Sequence, residues 1–141
     1  MTMQLIYNAH MRYKREIVQA LKELKPPTRG ELSFQRIEQV LKAHKTLVGT
    51  GYSLQVIEDD KMVGCILASS EKRIWYQRAQ CYLYLFLSRK GNNIFKMMKY
   101  FVDWVNKYPH ISVVRVATET ILDSRLLGIT RRYPLKHAIW M

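Results

Sequence analysis

The chain has 141 residues, 48% apolar and 24% charged, the balance of a folded domain, which excludes disorder along its whole length. A chain of this size can bury roughly two-thirds of its unfolded surface, so its core needs no disulfide or metal staple. Lys and Arg number 23 against 11 Asp and Glu, a formal net charge of +12, and no run of about 18 apolar residues offers a membrane-spanning helix.

Met1-Thr2-Met3-Gln4 lacks a charged leader and apolar run, so no secretory signal is expected. Residues 3–7 (Met-Gln-Leu-Ile-Tyr) predict a short first strand. From Met11 to Leu24, Ile17, Leu21 and Leu24 recur at helical spacing. The segment Lys25-Pro26-Pro27-Thr28-Arg29-Gly30 ends that helix, because proline disfavours a helical residue before it and donates no hydrogen bond. Ser33 reads as the N-cap of a second helix with Phe34, Ile37, Val40 and Leu41 on one face. Thr46 to Thr50, with Gly49 and Gly51, reads as a loop. Tyr52–Ile57 and Met62–Ala68 flank the polar turn Glu58-Asp59-Asp60-Lys61 and predict a hairpin, its second arm apolar on both faces and therefore central. Residues 69–79 read as a polar loop, with Trp75 and Tyr76 exposed or packed on an edge.

Cys81–Leu87 predicts another central strand, with Tyr82, Tyr84 and Phe86 on one face and Leu83, Leu85 and Leu87 on the other. After Ser88-Arg89-Lys90-Gly91-Asn92-Asn93, residues Ile94, Met97, Met98, Phe101 and Val105 keep helical spacing as far as Tyr108-Pro109. His110–Ala117 is β-rich. Thr118 or Asp123 then caps a last helix carrying Leu122, Leu126 and Ile129, and His137–Met141 is a final short strand. No internal repeat appears. The expectation is one α/β domain over residues 1–141, a mixed sheet with helices on its faces in the order β-α-α-β-β-β-α-β-α-β.

Charge is distributed unevenly. Residues 1–88 carry 13 basic and 8 acidic side chains, whereas Arg89 to Lys136 holds 10 against 3. That second part projects a positive field attractive to nucleic acid, a phosphate-rich cofactor or an acidic protein. Cys65 and Cys81 sit inside apolar runs and read as small core residues of a reducing compartment. His10, His44, His110 and His137 are scattered without ligand spacing, so no metal site is expected.

The segment richest in chemistry is Ser88 to Asn93, between strand and helix. A helix N-terminus offers unpaired N–H groups and positive dipole to a phosphate. Gly91 permits a tight turn and close ligand approach, and Arg89 and Lys90 add charge. The loop lacks the Gly-Lys-Ser/Thr ending of nucleotide hydrolases and the three glycines of a dinucleotide fingerprint.

In its element order, its Asp-Asp-Lys-Met-Val-Gly hairpin and this basic Gly-bearing loop, the whole chain resembles the GNAT family of N-acetyltransferases. The resemblance implies that acetyl-CoA is the cofactor, its pyrophosphate held on a loop of pattern Gln/Arg-x-x-Gly-x-Gly/Ala. Gly91 matches that pattern, while Ser88 and Asn93 depart from it. It thereby assigns Arg89, Lys90, Gly91, Asn92 and Asn93 to the pyrophosphate, and the backbone near Leu85 and Leu87 to the acyl carbonyl. Members commonly carry a tyrosine on the last helix, shortly before Gly-Phe, which protonates the departing thiolate. Here Thr130 aligns with the tyrosine and Pro134-Leu135 with Gly-Phe, and Tyr133 lies one turn away as the other candidate acid. Glu119 is the best-placed carboxylate for deprotonating an amine, or else a helix-start carboxylate stabilising a dipole.

Two further features have double readings. Trp75, Tyr76, Tyr82 and Tyr84 near Arg73 and Arg78 suit stacking on bases or core packing. Arg125, Arg131, Arg132 and Lys136 form either a solvated basic face or a patch for phosphate backbone or an acidic partner. The implied function is transfer of an acetyl group to an amine on a small molecule or protein, in the cytoplasm. The alternative is a catalytically degenerate bacteriophage protein of the same fold, a virion component or host-takeover factor whose basic face contacts nucleic acid or an acidic partner. A nucleic-acid-binding module without turnover is the third reading.

Overall fold

The computed structural model describes residues 3–23, 34–44, 51–72, 79–88, 93–108, 111–116 and 138–140, with the backbone alone at 3, 71, 72, 84, 93, 94, 116 and 138–140. The elements are β1 (Met3–Tyr7), α1 (Lys14–Glu23), α2 (Phe34–Ala43), β2 (Gly51–Glu58), β3 (Lys61–Lys72), β4 (Ala79–Ser88), α3 (Asn93–Asn106), β5 (Ile111–Val116) and β6 (Ala138–Trp140). They match the expected order as far as they go. The expected helix around Leu122 to Ile129 lies outside the described residues.

The six described strands form one mixed sheet in chain order, β1-β2-β3-β4-β5-β6. β1 to β4 are antiparallel meanders, whereas β4–β5 and β5–β6 are parallel. The parallel step from β4 to β5 uses α3 as its crossover, which places that helix on one sheet face. Met62–Ala68 and Tyr82–Leu87 are neighbouring inner strands, as their two-sided apolar character predicts.

Each face has its own core. Leu54, Val56, Ile66, Ala68, Leu83 and Phe86 pack with Met97, Met98, Phe101 and Val105 of α3. On the opposite face, Ile57, Met62, Cys65, Leu67, Leu85 and Leu87 pack with Ile17, Ala20 and Leu41 of α1 and α2. A fully buried side chain of the Leu or Phe class contributes roughly 1.5–3 kcal/mol, so the two layers together anchor β3 and β4 from both sides.

Three expectations need correction. Leu83, Leu85 and Leu87 do not share a face. The β3–β4 register passes from Leu67↔Leu85 to Ala68↔Leu83, leaving Tyr84 as the extra residue of a bulge that rotates the strand beyond it. Leu83 therefore joins Phe86 against α3, and Leu85 and Leu87 face α1 and α2. Residues 69–79 are not wholly a loop, because β3 and β4 stay paired out to Lys72↔Ala79. On α2, Leu41 is buried but Phe34 and Val40 are 53% and 48% exposed, because only the Ile37–Leu41 stripe meets the rest of the fold.

The hairpin turn is tighter than its polar sequence alone indicates. Asp59 and Asp60 form a two-residue loop with φ of 51° and 63°, the left-handed pair of a type I′ turn.

Candidate functional site

Two features of β4 build the candidate site. Its pairing with β3 runs to Gly64↔Ser88, but its described pairing with β5 stops at Leu83↔Val116. The described part of β5 ends at Val116, so the pairing of residues 84–88 on that side lies outside the described residues. Alternate backbone N–H groups of an antiparallel strand face away from its partner, here β3, and such groups suit a carbonyl that needs polarising.

The second feature is the junction between β4 and α3. Ser88 ends the strand and Asn93 begins the helix, so the first turn of α3 lies beside the end of β4. Gly64 sets this closeness. A Cβ there would stand 2.7 Å from Met97 Sδ and 3.3 Å from the Leu87 carbonyl oxygen, so glycine lets the Met97 thioether lie directly on the sheet, and a side chain there would have to displace it.

The sequence-predicted site residues fall on this frame unequally. Leu85 and Leu87 are buried on the α1–α2 face and their backbone lies in the half of β4 beyond the bulge. Asn93 is the first residue of α3. Arg89, Lys90, Gly91, Asn92, Glu119, Thr130 and Tyr133 lie outside the described residues. So do Trp75, Tyr76 and the basic cluster of Arg125, Arg131, Arg132 and Lys136. Tyr82 is half-buried on β4, opposite Arg115 of β5.

One constellation escapes sequence reading. Asn8 takes a φ of 63° and turns the chain after β1, which brings His10 against β2. The Ala9 N–H donates to Gln55 Oε1 at 2.8 Å, and Gln55 Nε2 donates to Ser53 Oγ at 2.9 Å and to Cys65 Sγ at 3.5 Å. His10 Nδ1 lies 2.8 Å from Ser53 Oγ, and the ring also donates to the Leu41 carbonyl. A neutral imidazole has one donor and one acceptor, so with its N–H on Leu41 the ring accepts at Nδ1 the hydrogen bond that the Ser53 hydroxyl donates. His44, just past α2, stacks edge-on against His10 at 5.0 Å between centroids and its Nε2–H donates to the Tyr52 carbonyl at 3.1 Å. The two histidines are thus neighbours, not scattered. Burial lowers the pKa of both, and the adjacent His10 helps bring His44 to about 4. The network clamps the end of α2 and the start of α1 onto β2. Cys65 and Cys81 are buried and outside any disulfide, and burial pushes Cys65 up to about 12, which keeps it protonated and unreactive. Among the described residues no cluster of three or more His, Cys, Asp or Glu is placed to hold a metal, and no helix is long and apolar enough to cross a membrane.

Neither a protein-family model nor a curated protein sequence matches the chain. Solved structures do match in fold. A ribosomal-protein-alanine N-acetyltransferase from Brucella melitensis biovar Abortus 2308 superposes with a TM-score of 0.60 at 10% identity, covering 100% of this chain and 95% of that one. An aminoglycoside acetyltransferase from an uncultured soil metagenomic sample gives 0.59 at 13% identity over 99% and 95%. A protein described as a possible acetyltransferase from Clostridium difficile 630 gives 0.62 at 14% identity over 94% and 88%. The mixed sheet with α3 crossing from β4 to the parallel β5 is the fold of the GNAT acetyltransferases.

Proposed function

We propose that the chain binds acetyl-CoA and transfers its acetyl group to an amine. The observation that supports this reading is the parallel β4–α3–β5 crossover within a mixed sheet, the fold shared with the solved acetyltransferases. An extended pantetheine arm would run along the β4 backbone, and the first turn of α3 at Asn93 suits the pyrophosphate. Arg89, Lys90, Gly91 and Asn92 connect those two features along the chain. Acetyl-CoA supplies an activated thioester carbonyl.

The chain's own contribution is positional. Backbone N–H groups near Leu85 and Leu87 polarise the carbonyl oxygen, and the apolar cores on both faces exclude water around β4. Glu119 takes the amine proton, directly or through water, and Tyr133 is the candidate acid. In the cytoplasmic setting of this reading, the +12 net charge also favours the phosphate-rich cofactor.

Calorimetric titration with acetyl-CoA and with CoA tests the reading. Micromolar affinity is expected. Silence at millimolar ligand overturns it in favour of a degenerate fold, virion-borne or acting on a host, whose Arg89–Lys136 basic region binds nucleic acid or an acidic protein.

A further inference from the structure

α1 and α2 pack over the sheet around an apolar cavity of about 190 Å³, floored by Leu67 and Leu85 and walled by Ile17, Leu21, Ile37 and Val40. Arg36, an exposed residue, stands at its rim. Almost no polar atom lines it. An apolar cavity of roughly 150 Å³ in an engineered protein stays dry and takes up benzene, so this one has room for a ring or a branched aliphatic group.

Leu85 connects the cavity to the proposed chemistry. Its side chain forms the floor, while its backbone lies in the part of β4 beyond the bulge. Resting on the acyltransfer reading, we propose that the α1–α2 cavity binds the apolar body of the acceptor, a primary amine carrying an aromatic or branched aliphatic group, with its nitrogen directed toward β4. Polyamines and amino sugars are poor occupants. The lining offers their polar groups no partner, and Arg36 together with the net charge of +12 repels a polycation.

The test is a methyl-detected NMR titration of the coenzyme-free chain with 2-phenylethylamine, using ethanolamine and spermidine as controls, alongside acetyl-transfer assays on the same amines. Phenylethylamine should shift the methyls of Leu21, Ile37 and Leu85 and bind at least roughly tenfold tighter than either control, as burial of one ring predicts. Val40→Trp, at a half-exposed position where folding is not threatened, should block the mouth and weaken that binding at least tenfold, whereas Val40→Ala should preserve it. Equal binding of all three amines, a preference for spermidine or ethanolamine, or indifference to Val40→Trp overturns the proposal. Acetylation of the polar amines with no ligand in the cavity would keep the acyltransfer reading and remove this one. Phenylethylamine bound in the cavity but never acetylated would do the reverse, leaving a binding site without the chemistry.

Discussion

Gly64 on β3 lies so close beneath Met97 of α3 that an added Cβ would stand 2.7 Å from its Sδ and 3.0 Å from its Cε. Met97 is fully buried, so its thioether has little room to retreat. Gly64→Ala should destabilise the fold by about 1–2 kcal/mol and Gly64→Val by about 3, the scale of an overpacked core. Met97→Ala removes the clashing atoms at the cost of a cavity. The double variant Gly64→Ala/Met97→Ala should therefore be more stable than the sum of its parts by about 1 kcal/mol in urea unfolding. Simple additivity would mean that the contact does not set the height of α3.

The β2–β3 turn holds two aspartates at positive φ, 51° at Asp59 and 63° at Asp60. Aspartate tolerates this region better than most residues, but glycine occupies it without the Cβ penalty. Asp60→Gly should stabilise the hairpin by about 0.5–1 kcal/mol, and Asp60→Val should destabilise it by a similar amount or more. Thermal unfolding reads the difference as a shift of about 2–4 °C. A fall in Tm for Asp60→Gly would contradict the type I′ assignment.

His10 and His44 make stability depend on pH. Both pKa values lie below the usual 6.5, chiefly because burial disfavours the charged ring. Near pH 6 the unfolded chain therefore binds more protons than the folded one, and stability falls as pH drops from 6.5 toward 4. Solvent screening at the partly exposed His44 ring holds its share to about 1 kcal/mol. His44→Asn should flatten the urea-midpoint profile between pH 7 and 5. A wild-type profile rising toward acid in that window would show that the rings are stabilised in the charged form.

The inner strands were legible because Met62–Ala68 and Cys81–Leu87 are apolar at successive positions, which only a doubly covered strand requires. The Tyr84 bulge was not. Aromatic and leucine residues alternate without a break across it, so nothing in the pattern signals that Leu85 changes face; the signal is the register against β3. The His10–His44 pair was hidden for another reason. It depends on Asn8 turning the chain and on α2 ending against β2, both long-range consequences of packing. Helical spacing puts Ile37 and Leu41 on the inner stripe of α2, but it does not say how wide the covered stripe is, and Phe34 and Val40 fall outside it. The phosphate-loop assignment rests on charge, Gly91 and resemblance, which give residue types without their geometry.

Coenzyme binding should distinguish backbone from side-chain contributions in the loop before α3. If N–H groups of Lys90 to Asn93 hold the pyrophosphate, Gly91→Val should abolish binding by crowding the backbone against it. Arg89→Ala should weaken binding by only about 1–2 kcal/mol, the scale of one charge-assisted contact. Calorimetry on both variants checks this, and equal losses would place the recognition in side-chain charge instead.

The rate of acetyl transfer turns on Thr130 and Tyr133. A threonine hydroxyl is far too weak an acid near neutral pH to protonate a departing thiolate, and it is shorter than a tyrosine. With Thr130 at the position where the resembled family carries its tyrosine, the thiolate leaves unassisted or by way of water. General acid catalysis is typically worth about 10²–10⁴ in rate, so turnover should be slow even where coenzyme binds tightly. Pro134 immediately after Tyr133 favours this outcome, because it disfavours helical backbone at the tyrosine that a shifted helix would need. Steady-state assays on wild type and Tyr133→Phe decide it. Fast turnover that falls by about 10²–10⁴ in Tyr133→Phe would make Tyr133 the acid despite the proline. Fast turnover that survives the substitution would exclude both residues and require an acid from elsewhere in the chain.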